Sequence, residues 1–183
     1  MRFLSAPRRR AGFLVFLLAA ASLIWPVPPP ARAAEAGAEL VFAVTHAETG
    51  TTLVTANSDG HKLGDIRVVS LPTLDPSGAP GRLDSILTTT GVDVPGPGDE
   101  QRISHLVFSF TRPDDQIYVA GVATYPAKGS TIKVASSIVR PILGGSGKYA
   151  GASGWCVTEH LPDGSWRHTF HLIANTAGTP KPD

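Results

Sequence analysis

The sequence predicts an all-β protein: an eight-stranded antiparallel up-and-down β-barrel preceded by a cleavable apolar leader. Segments rich in β-branched residues follow one another, separated by Gly, Pro and Asp turns. After the leader no helical periodicity exceeds two turns. Short turns can join only antiparallel neighbours, and eight strands close readily into a barrel that holds side chains or one small ligand.

The first 33 residues have the three parts of an export signal. Arg8-Arg9-Arg10 is a basic start, 12–25 is an apolar run, and Ala31-Arg32-Ala33 places small residues as a signal peptidase requires. The run falls short of the roughly 20 residues that span a bilayer. We therefore expect cleavage near Ala34, an exported protein (secreted or in the cell envelope), and no stable membrane insertion afterwards.

Charge and cysteine content limit the class of protein. Positions 1–33 hold five of the 16 Lys+Arg and none of the 15 Asp+Glu, so the remainder carries 11 basic against 15 acidic residues, a net charge of −4. A mildly acidic domain without basic clusters argues against nucleic acid as a partner. Cys156 stands alone, so packing must hold the fold without an internal disulfide, and a buried strand cysteine is expected.

The strands follow from β propensity and from the turns that bound them. A linker (34–39) precedes the barrel (40–173), and a disordered tail (174–183) follows it. Pro72 is expected to end the second main strand, and 91–100 to form a long loop, functional or disordered. The predicted strands are 40–45, 65–71, 82–90, 102–111, 116–125, 131–143, 155–160 and 165–173, with a weak one over 52–56.

A glycine-rich corner, 144–154, organises the C-terminal half. It contains five glycines, each costing about 1 kcal/mol in a helix relative to alanine. Glycines within strands mark bends or close backbone approach, as at barrel corners. The segment therefore predicts a hairpin corner leading into the strand that starts at Trp155.

Three segments carry a resemblance to a known family: 63–82 (Leu-Gly-Asp-Ile, Asp-Pro-Ser-Gly and Gly-Arg), 116–121, and the corner with its flank, 142–154. Together they resemble the allene oxide cyclase and dirigent barrel superfamily over roughly Leu40 to Leu172. The resemblance implies an eight-stranded antiparallel barrel, often oligomeric, that shapes the cyclisation or coupling of a reactive small molecule without metal or organic cofactor. Bacterial relatives include polyketide cyclases that promote [4+2] cycloaddition.

Two departures limit what the resemblance implies. Plant allene oxide cyclases have a glutamate near the start of the first strand, where this chain has Ala43. Plant dirigent proteins favour acidic residues at the end of the next strand, where it has Val69-Ser70-Leu71. The scaffold and its mode of action carry over, and the two plant activities do not.

Two motifs typical of metal and nucleotide sites occur in the sequence, but the predicted strands exclude both kinds of site. His168 and His171 have the H-x-x-H spacing, but residues three apart on a strand point to opposite faces and cannot share a metal ion. The G-x-G-x-x-A match at 145–150 needs a following helix, which Gly151 to Gly154 forbid.

Trp155, Val157 and Glu159 share one strand face, and Cys156 and Thr158 share the other. If the first face points inward, Glu159 is a buried general acid and Trp155 binds substrate. The alternative is a solvent-facing glutamate beside a tryptophan in a subunit contact.

Other candidates stand on neighbouring strands. His105 and Tyr118 could donate hydrogen bonds to a substrate carbonyl, or be satisfied polar residues at the barrel mouth. Trp166, with His168 and Phe170, forms either an aromatic substrate wall or ordinary core. Among the arginines, 82 and 140 are expected in ion pairs at the rim.

The function favoured by these observations is a cofactor-independent cyclase of microbial secondary metabolism. It would hold a small, hydrophobic, unsaturated substrate, polyketide in type, in a near-attack conformation. The alternative is a non-catalytic exported barrel, either a lipophile carrier or a dirigent protein that orients radicals made by an oxidase. An enzyme should have convergent polar groups in a closed lumen, and a carrier a uniformly apolar one. A homo-oligomer is compatible with either.

Overall fold

A computed structural model describes residues 39–47, 52–54, 61–127 and 132–173. The predicted leader, most of the linker and the predicted tail lie outside these residues. Within them, no helix has the length and apolar character needed to cross a membrane.

Nine strands form one antiparallel sheet that closes on itself. They are β1 (Glu39–His46), β2 (Thr52–Val54), β3 (Ile66–Leu74), β4 (Pro80–Val92), β5 (Asp99–Ser109), β6 (Gln116–Pro126), β7 (Ser136–Ser146), β8 (Gly154–His160) and β9 (Trp166–Ile173). Each main strand pairs with the next along the chain, β1 pairs with β9, and the Thr45–Leu74 pair joins β1 to β3. The predicted closed eight-stranded barrel is confirmed, with β2 added along part of β3.

Several boundaries differ from prediction. The strand predicted over 131–143 begins only at Ser136, after a turn in which Ala135 has φ +58°, and it continues to Ser146. β3 continues through Pro72 to Leu74, because β3 has no continuous second neighbour at this point: β2 covers only 66–68, and β1 reaches it only at Leu74. A proline is tolerated in such an edge-like stretch. The predicted loop 91–100 shortens to 93–98, with the Asp93 carboxylate accepting a hydrogen bond from the Gly98 amide at 2.8 Å.

The glycine-rich corner connects β7 to β8, as predicted, and contains a 3₁₀ turn, Gly147–Tyr149. Glycine is required at Gly145, where a Cβ would lie 2.5 Å from the Tyr149 carbonyl oxygen and 2.6 Å from that of Gln116. The Asp115 carboxylate accepts a hydrogen bond from the Lys148 amide at 2.9 Å. The corner thereby holds Lys148 and Tyr149 over one end of the barrel.

The barrel interior contains two apolar clusters and a set of buried polar groups. The larger cluster is centred on Phe108, Ile117 and Phe170, and the smaller on Leu87, Tyr125 and Trp166. The buried polar residues include Arg67, Ser85, Thr89, Glu100, Arg102, Ser104, Arg140, Thr158, His160 and His168. Buried polar groups on this scale must satisfy one another, so their hydrogen bonds define the candidate site.

Candidate functional site

The structure places the predicted general acid on the outside of the barrel. Glu159 and Trp155 lie on the outer face of β8, while Cys156, Thr158 and His160 point inward and are buried. The Arg167 guanidinium donates two hydrogen bonds to the Glu159 carboxylate, at 2.8 and 3.1 Å, and these bonds lower the pKa of that carboxyl. Of the two orientations that the sequence leaves open, the structure shows the outward one for Glu159 and Trp155 and excludes the inward one, because β8 turns its other face to the interior.

The predicted hydrogen-bond donors are also outside. His105 is exposed on β5, and Tyr118 is 39% exposed on β6, where its hydroxyl donates to Gln116 Oε1 at 2.5 Å. Their alternation with Leu106, Val119 and other buried neighbours fixes this orientation. Neither side chain faces a substrate in the lumen, and the structure does not bring them together with Glu159.

The predicted aromatic wall is inside. Trp166 and Phe170 are buried on the inner face of β9, with His168 between them, whereas His171 faces outward. The Trp166 ring stacks between His46 and His160, at centroid distances of 5.9 and 4.3 Å. Their shared inward face agrees with the sequence prediction.

Arg140, expected in a rim ion pair, is instead 3% exposed at the centre of the candidate site. Its guanidinium donates to Ser104 Oγ at 2.8 Å, to the Tyr125 hydroxyl at 2.5 Å and to Thr158 Oγ1 at 3.3 Å. A Cβ at Gly121 would lie 3.4 Å from Arg140 Cγ, so the small residue beside it leaves room for the arginine stem. Arg82, by contrast, pairs with Asp84 at the surface, as predicted.

A chain of hydrogen bonds continues from Arg140 towards the Trp166 side of the barrel. Thr158 Oγ1 lies 3.0 Å from His168 Nδ1, and His168 Nε2 lies 3.1 Å from His46 Nε2. Burial and the nearby charges of His46 and Arg140 hold the pKa of His168 well below its usual range. His168 is therefore neutral at physiological pH, and Thr158 can donate its hydroxyl hydrogen to Nδ1 because it accepts one from Arg140.

A second polar group surrounds Glu100, which is fully buried. Its carboxylate accepts hydrogen bonds from Arg102 Nε at 2.7 Å and Thr89 Oγ1 at 2.9 Å, and lies 2.7 Å from His61 Nδ1. Burial by itself would raise the pKa of Glu100, but the hydrogen bonds from His61 and Arg102 outweigh it and lower that pKa. The buried carboxylate is thus ionised and held by cations.

The two groups meet at Tyr125. The Arg102 guanidinium lies 4.6 Å from the centre of the Tyr125 ring, and Arg140 donates to its hydroxyl. One tyrosine therefore contacts two buried arginines. This arrangement concentrates positive charge inside the barrel around one phenol.

An aromatic column leads from the polar groups to the glycine-rich corner. Phe108 lies 4.8 Å from the His168 ring and 4.9 Å from Phe170, which lies 5.0 Å from Phe42. Phe42 and Phe110 in turn contact Tyr149, at 5.7 and 4.8 Å. Apolar contact is thus continuous from the mouth of the barrel to its polar centre.

A concave pocket of about 70 Å³ lies at the corner end of this column. Phe42, Phe110 and Tyr149 form its walls, and Asp75 and Lys148 add charges to its lining. Lys148 Nζ lies 4.9 Å from the centre of the Tyr149 ring. Ligand pockets for drug-sized molecules commonly hold about 300–1,000 Å³, so this one accepts a small group or one end of a larger molecule.

Cys156 lies in the interior and has low reactivity. It is fully buried on β8, as expected for a strand cysteine, and burial raises its pKa to about 12. A thiol with this pKa is protonated at neutral pH and is a poor nucleophile.

Comparison with solved structures identifies proteins of similar architecture. A pyocyanin demethylase matches with a TM-score of 0.54 at 15% identity, covering 74% of this chain and 99% of its own. The Diels Alderase AbmU from Streptomyces koyangensis matches with a TM-score of 0.57 at 18% identity, covering 82% of this chain and 76% of its own. The chain shares the fold of these barrel proteins. The resemblance predicted from the sequence is thereby confirmed at the level of fold.

A third structure, the pterocarpan synthase dirigent protein GePTS1, matches with a TM-score of 0.48 at 12% identity, covering 84% of this chain and 97% of its own. No protein-family model and no curated protein sequence matches the chain. Identities this low show common architecture and leave the chemistry to be argued from the residues themselves.

Sequence reasoning missed most of the polar centre. The sequence patterns do not identify Ser104, Tyr125, Arg140 or Thr158 as functional residues, and they predict a loop at Glu100. A signal does exist: polar residues recur at every second position along β5, as Glu100, Arg102 and Ser104. Such alternation is normally interpreted as a solvent-facing row, and here it faces the lumen.

Proposed function

We propose that the chain is a cofactor-independent enzyme, a cyclase or isomerase that binds a small unsaturated oxygen-containing substrate inside its barrel. One observation carries the proposal: polar groups converge in the lumen around Arg140 and Tyr125. A lipophile carrier has no need of such groups, because an apolar ligand gains nothing from buried guanidinium and hydroxyl donors that must be desolvated.

The arrangement is suited to stabilising negative charge on a substrate oxygen. The Arg140 guanidinium and the Tyr125 hydroxyl are held in place before any substrate binds, because Ser104 and Thr158 accept from Arg140 while they donate to the Gly121 carbonyl and to His168. Preorganised donors of this kind stabilise a developing oxyanion without reorganising during the reaction. A polarised carbonyl makes a conjugated alkene more reactive towards ring closure or double-bond migration.

The aromatic column supplies the second requirement, control of shape. Phe42, Phe108 and Phe170 provide flat apolar surfaces next to the polar centre. Restricting a flexible substrate against such surfaces lowers the entropic part of the barrier to ring closure. Because the pocket at the corner is small, the substrate must be compact or displace aromatic side chains at its floor.

A likeness in fold to a Diels Alderase supports this choice by analogy alone. The neutral His168 and the poorly reactive Cys156 leave no strong nucleophile in this part of the interior, which favours a reaction that proceeds by binding and polarisation over one that proceeds through a covalent intermediate. The polyketide nature of the substrate is a further hypothesis that follows from the sequence resemblance.

The test uses a panel of short trienes tethered to enones, whose spontaneous cyclisation gives racemic product. Incubation with the protein should give product enriched in one enantiomer, measured by chiral chromatography. Thr111→Trp should abolish the enrichment, because Thr111 lines the pocket mouth, and the adjacent Arg112→Trp should preserve it. Substrate binding with racemic product would indicate a carrier. Coupling that requires an added oxidase would indicate a dirigent protein.

A further inference from the structure

Arg140 is a buried cation whose hydrogen-bond partners are all neutral. Its three acceptors are the hydroxyl groups of Ser104, Tyr125 and Thr158. In the described part of the chain, no carboxylate lies within ion-pair distance of its guanidinium, whereas Arg67 and Arg102 both pair with Glu100. Among the residues that the structure describes, Arg140 therefore differs from Arg67 and Arg102 in having no carboxylate partner.

This difference needs a physical reason. Transferring a charge from water to a protein interior costs several kcal/mol unless a counter-ion and hydrogen bonds compensate it. Hydroxyl groups satisfy the donors of Arg140 but do not neutralise its charge. Such an arrangement is expected where the counter-charge arrives with a ligand.

The groups around Arg140 indicate the form of that ligand. A guanidinium presents parallel N–H donors that match two oxygens in a plane. The Tyr125 hydroxyl accepts from Arg140, and its own hydrogen has no acceptor among the described residues, so it can be donated to an incoming oxygen. Arg102, which pairs with Glu100, lies over the Tyr125 ring at 4.6 Å from its centre and packs against the phenol.

We propose that Arg140 and Tyr125 form a recognition site for a planar oxyanion, either a carboxylate or the enolate of an acidic 1,3-dicarbonyl group. Identifying this ligand as the substrate rests on the proposed function, because the same oxygens would then face the aromatic column. Binding of the anion by itself does not depend on catalysis. No proton transfer or bond change is involved.

The first experiment measures anion preference by isothermal titration calorimetry at neutral pH. The anionic probes are benzoate and dimedone, and their neutral counterparts are benzamide and the O-methyl ether of dimedone. At least one anion should bind about tenfold or more tightly than its neutral counterpart, the effect of a hydrogen-bonded charge pair. Benzoate and dimedone distinguish a carboxylate ligand from an enolate.

Variants locate the site. Arg140→Met should remove the anion preference, and Tyr125→Phe should weaken it. The matched control, Arg167→Met, removes a surface arginine that pairs with Glu159 and should keep the wild-type preference. Equal binding of anion and neutral probe by the wild-type protein, including no binding of either, overturns the proposal.

A second measurement, the melting temperature, distinguishes loss of the binding site from loss of folding. If Arg140 is an uncompensated charge, Arg140→Met should melt close to the wild type, because relief of the desolvation cost offsets the hydrogen bonds that the Ser104, Thr158 and Tyr125 hydroxyl groups lose. The preferred anion should raise the melting temperature of the wild type and not that of the variant. A variant that melts far below the unliganded wild type would show a structural arginine and contradict the inference.

The two proposals fail in different ways. Enantioselective cyclisation of neutral substrates without anion preference would refute the oxyanion site and leave the enzyme. Anion binding at Arg140 without turnover of any panel member would leave the site and refute the cyclase.

Discussion

His168 Nε2 lies 3.1 Å from His46 Nε2, and the two rings stack with their centres 5.2 Å apart. Two ring nitrogens at this distance share one hydrogen, so only one of them can carry it. Since Thr158 can donate to His168 Nδ1, His168 carries its hydrogen on Nε2 and donates it to His46. His46 then uses its Nδ1 hydrogen for the Ala47 carbonyl, 2.7 Å away. Both imidazoles are therefore neutral in the intact chain of hydrogen bonds.

This pair predicts loss of stability in mild acid. Burial lowers the pKa of both His46 and His168. Below the usual histidine pKa of about 6.5 the unfolded chain takes up protons that the folded chain refuses, so the free energy of unfolding falls as pH falls. The slope should reach about 1.4 kcal/mol per pH unit for each histidine. Urea denaturation at pH 7.5, 6.5 and 5.5 measures it.

Variants separate this pair from other titrating groups. His168→Gln should flatten the slope between pH 6.5 and 5.5, and the exposed His105→Gln should leave it unchanged. His61 affects stability at higher pH. Its hydrogen bond with Glu100 raises its pKa, so the stability that it contributes is present below pH 6.5 and is lost as pH rises above that value. An unaltered slope in His168→Gln would contradict the assignment.

Glu100→Gln should be strongly destabilising. The substitution removes the buried negative charge that pairs with both Arg102 and Arg67, so each of these buried cations loses this ion pair. Breaking one partner of a buried pair typically costs about 3–5 kcal/mol. The surface pair gives the control: Asp84→Asn, beside the exposed Arg82, should cost at most about 1 kcal/mol. Comparable urea midpoints for the two variants would show that Glu100 is dispensable.

Gly154→Ala should disrupt the pairing of β8 with β9. Gly154 has φ +135°, and a Cβ there would lie 1.9 Å from the His171 carbonyl oxygen, so backbone must move. The expected cost is about 3 kcal/mol or more, from strain together with the clash. Gly151→Ala provides a comparison, because φ is +77° but an added Cβ would meet nothing within 4 Å; its cost should be about 1–2 kcal/mol. The melting temperature of Gly154→Ala should therefore be well below that of Gly151→Ala.

Glu159→Gln should affect neither stability nor binding by much. The carboxylate pairs with Arg167 on the outer face, and such pairs contribute at most about 1 kcal/mol. Anion affinity and enantioselectivity should match the wild type, because Glu159 faces away from Arg140. A large loss of turnover with unchanged melting temperature would return Glu159 to the candidate site.

Local physical chemistry made much of the fold predictable. β-branched segments, turns such as 75–78 and 162–164, and the glycines of the corner each favour one backbone conformation over short distances. Strand number and order follow from them because short connections join antiparallel neighbours. Predicted boundaries were wrong mainly at Pro72, at 91–100 and at the start of the strand predicted over 131–143, where the path of the chain depends on which neighbour a strand has.

The inward-facing residues could not be predicted in the same way. Along β8, both alternating sets contain polar and apolar members: Trp155, Val157 and Glu159 on one face, Cys156 and Thr158 on the other. When the interior itself is polar, hydrophobicity no longer identifies the buried face. The local sequence therefore leaves both orientations of β8 open.

The amino-acid sequence is sufficient to predict hairpin-connected strands over roughly 40–173 with a glycine corner before Trp155, because backbone preferences act within a few residues. The interior position of Arg140 and the exterior position of Glu159 are properties of the folded barrel. That outcome depends on how eight strands curl and register against one another, so that residues from β5, β6, β7 and β8 meet around one guanidinium. These residues are distant along the chain, so the packing of the strands in the barrel brings them together and local sequence preferences do not.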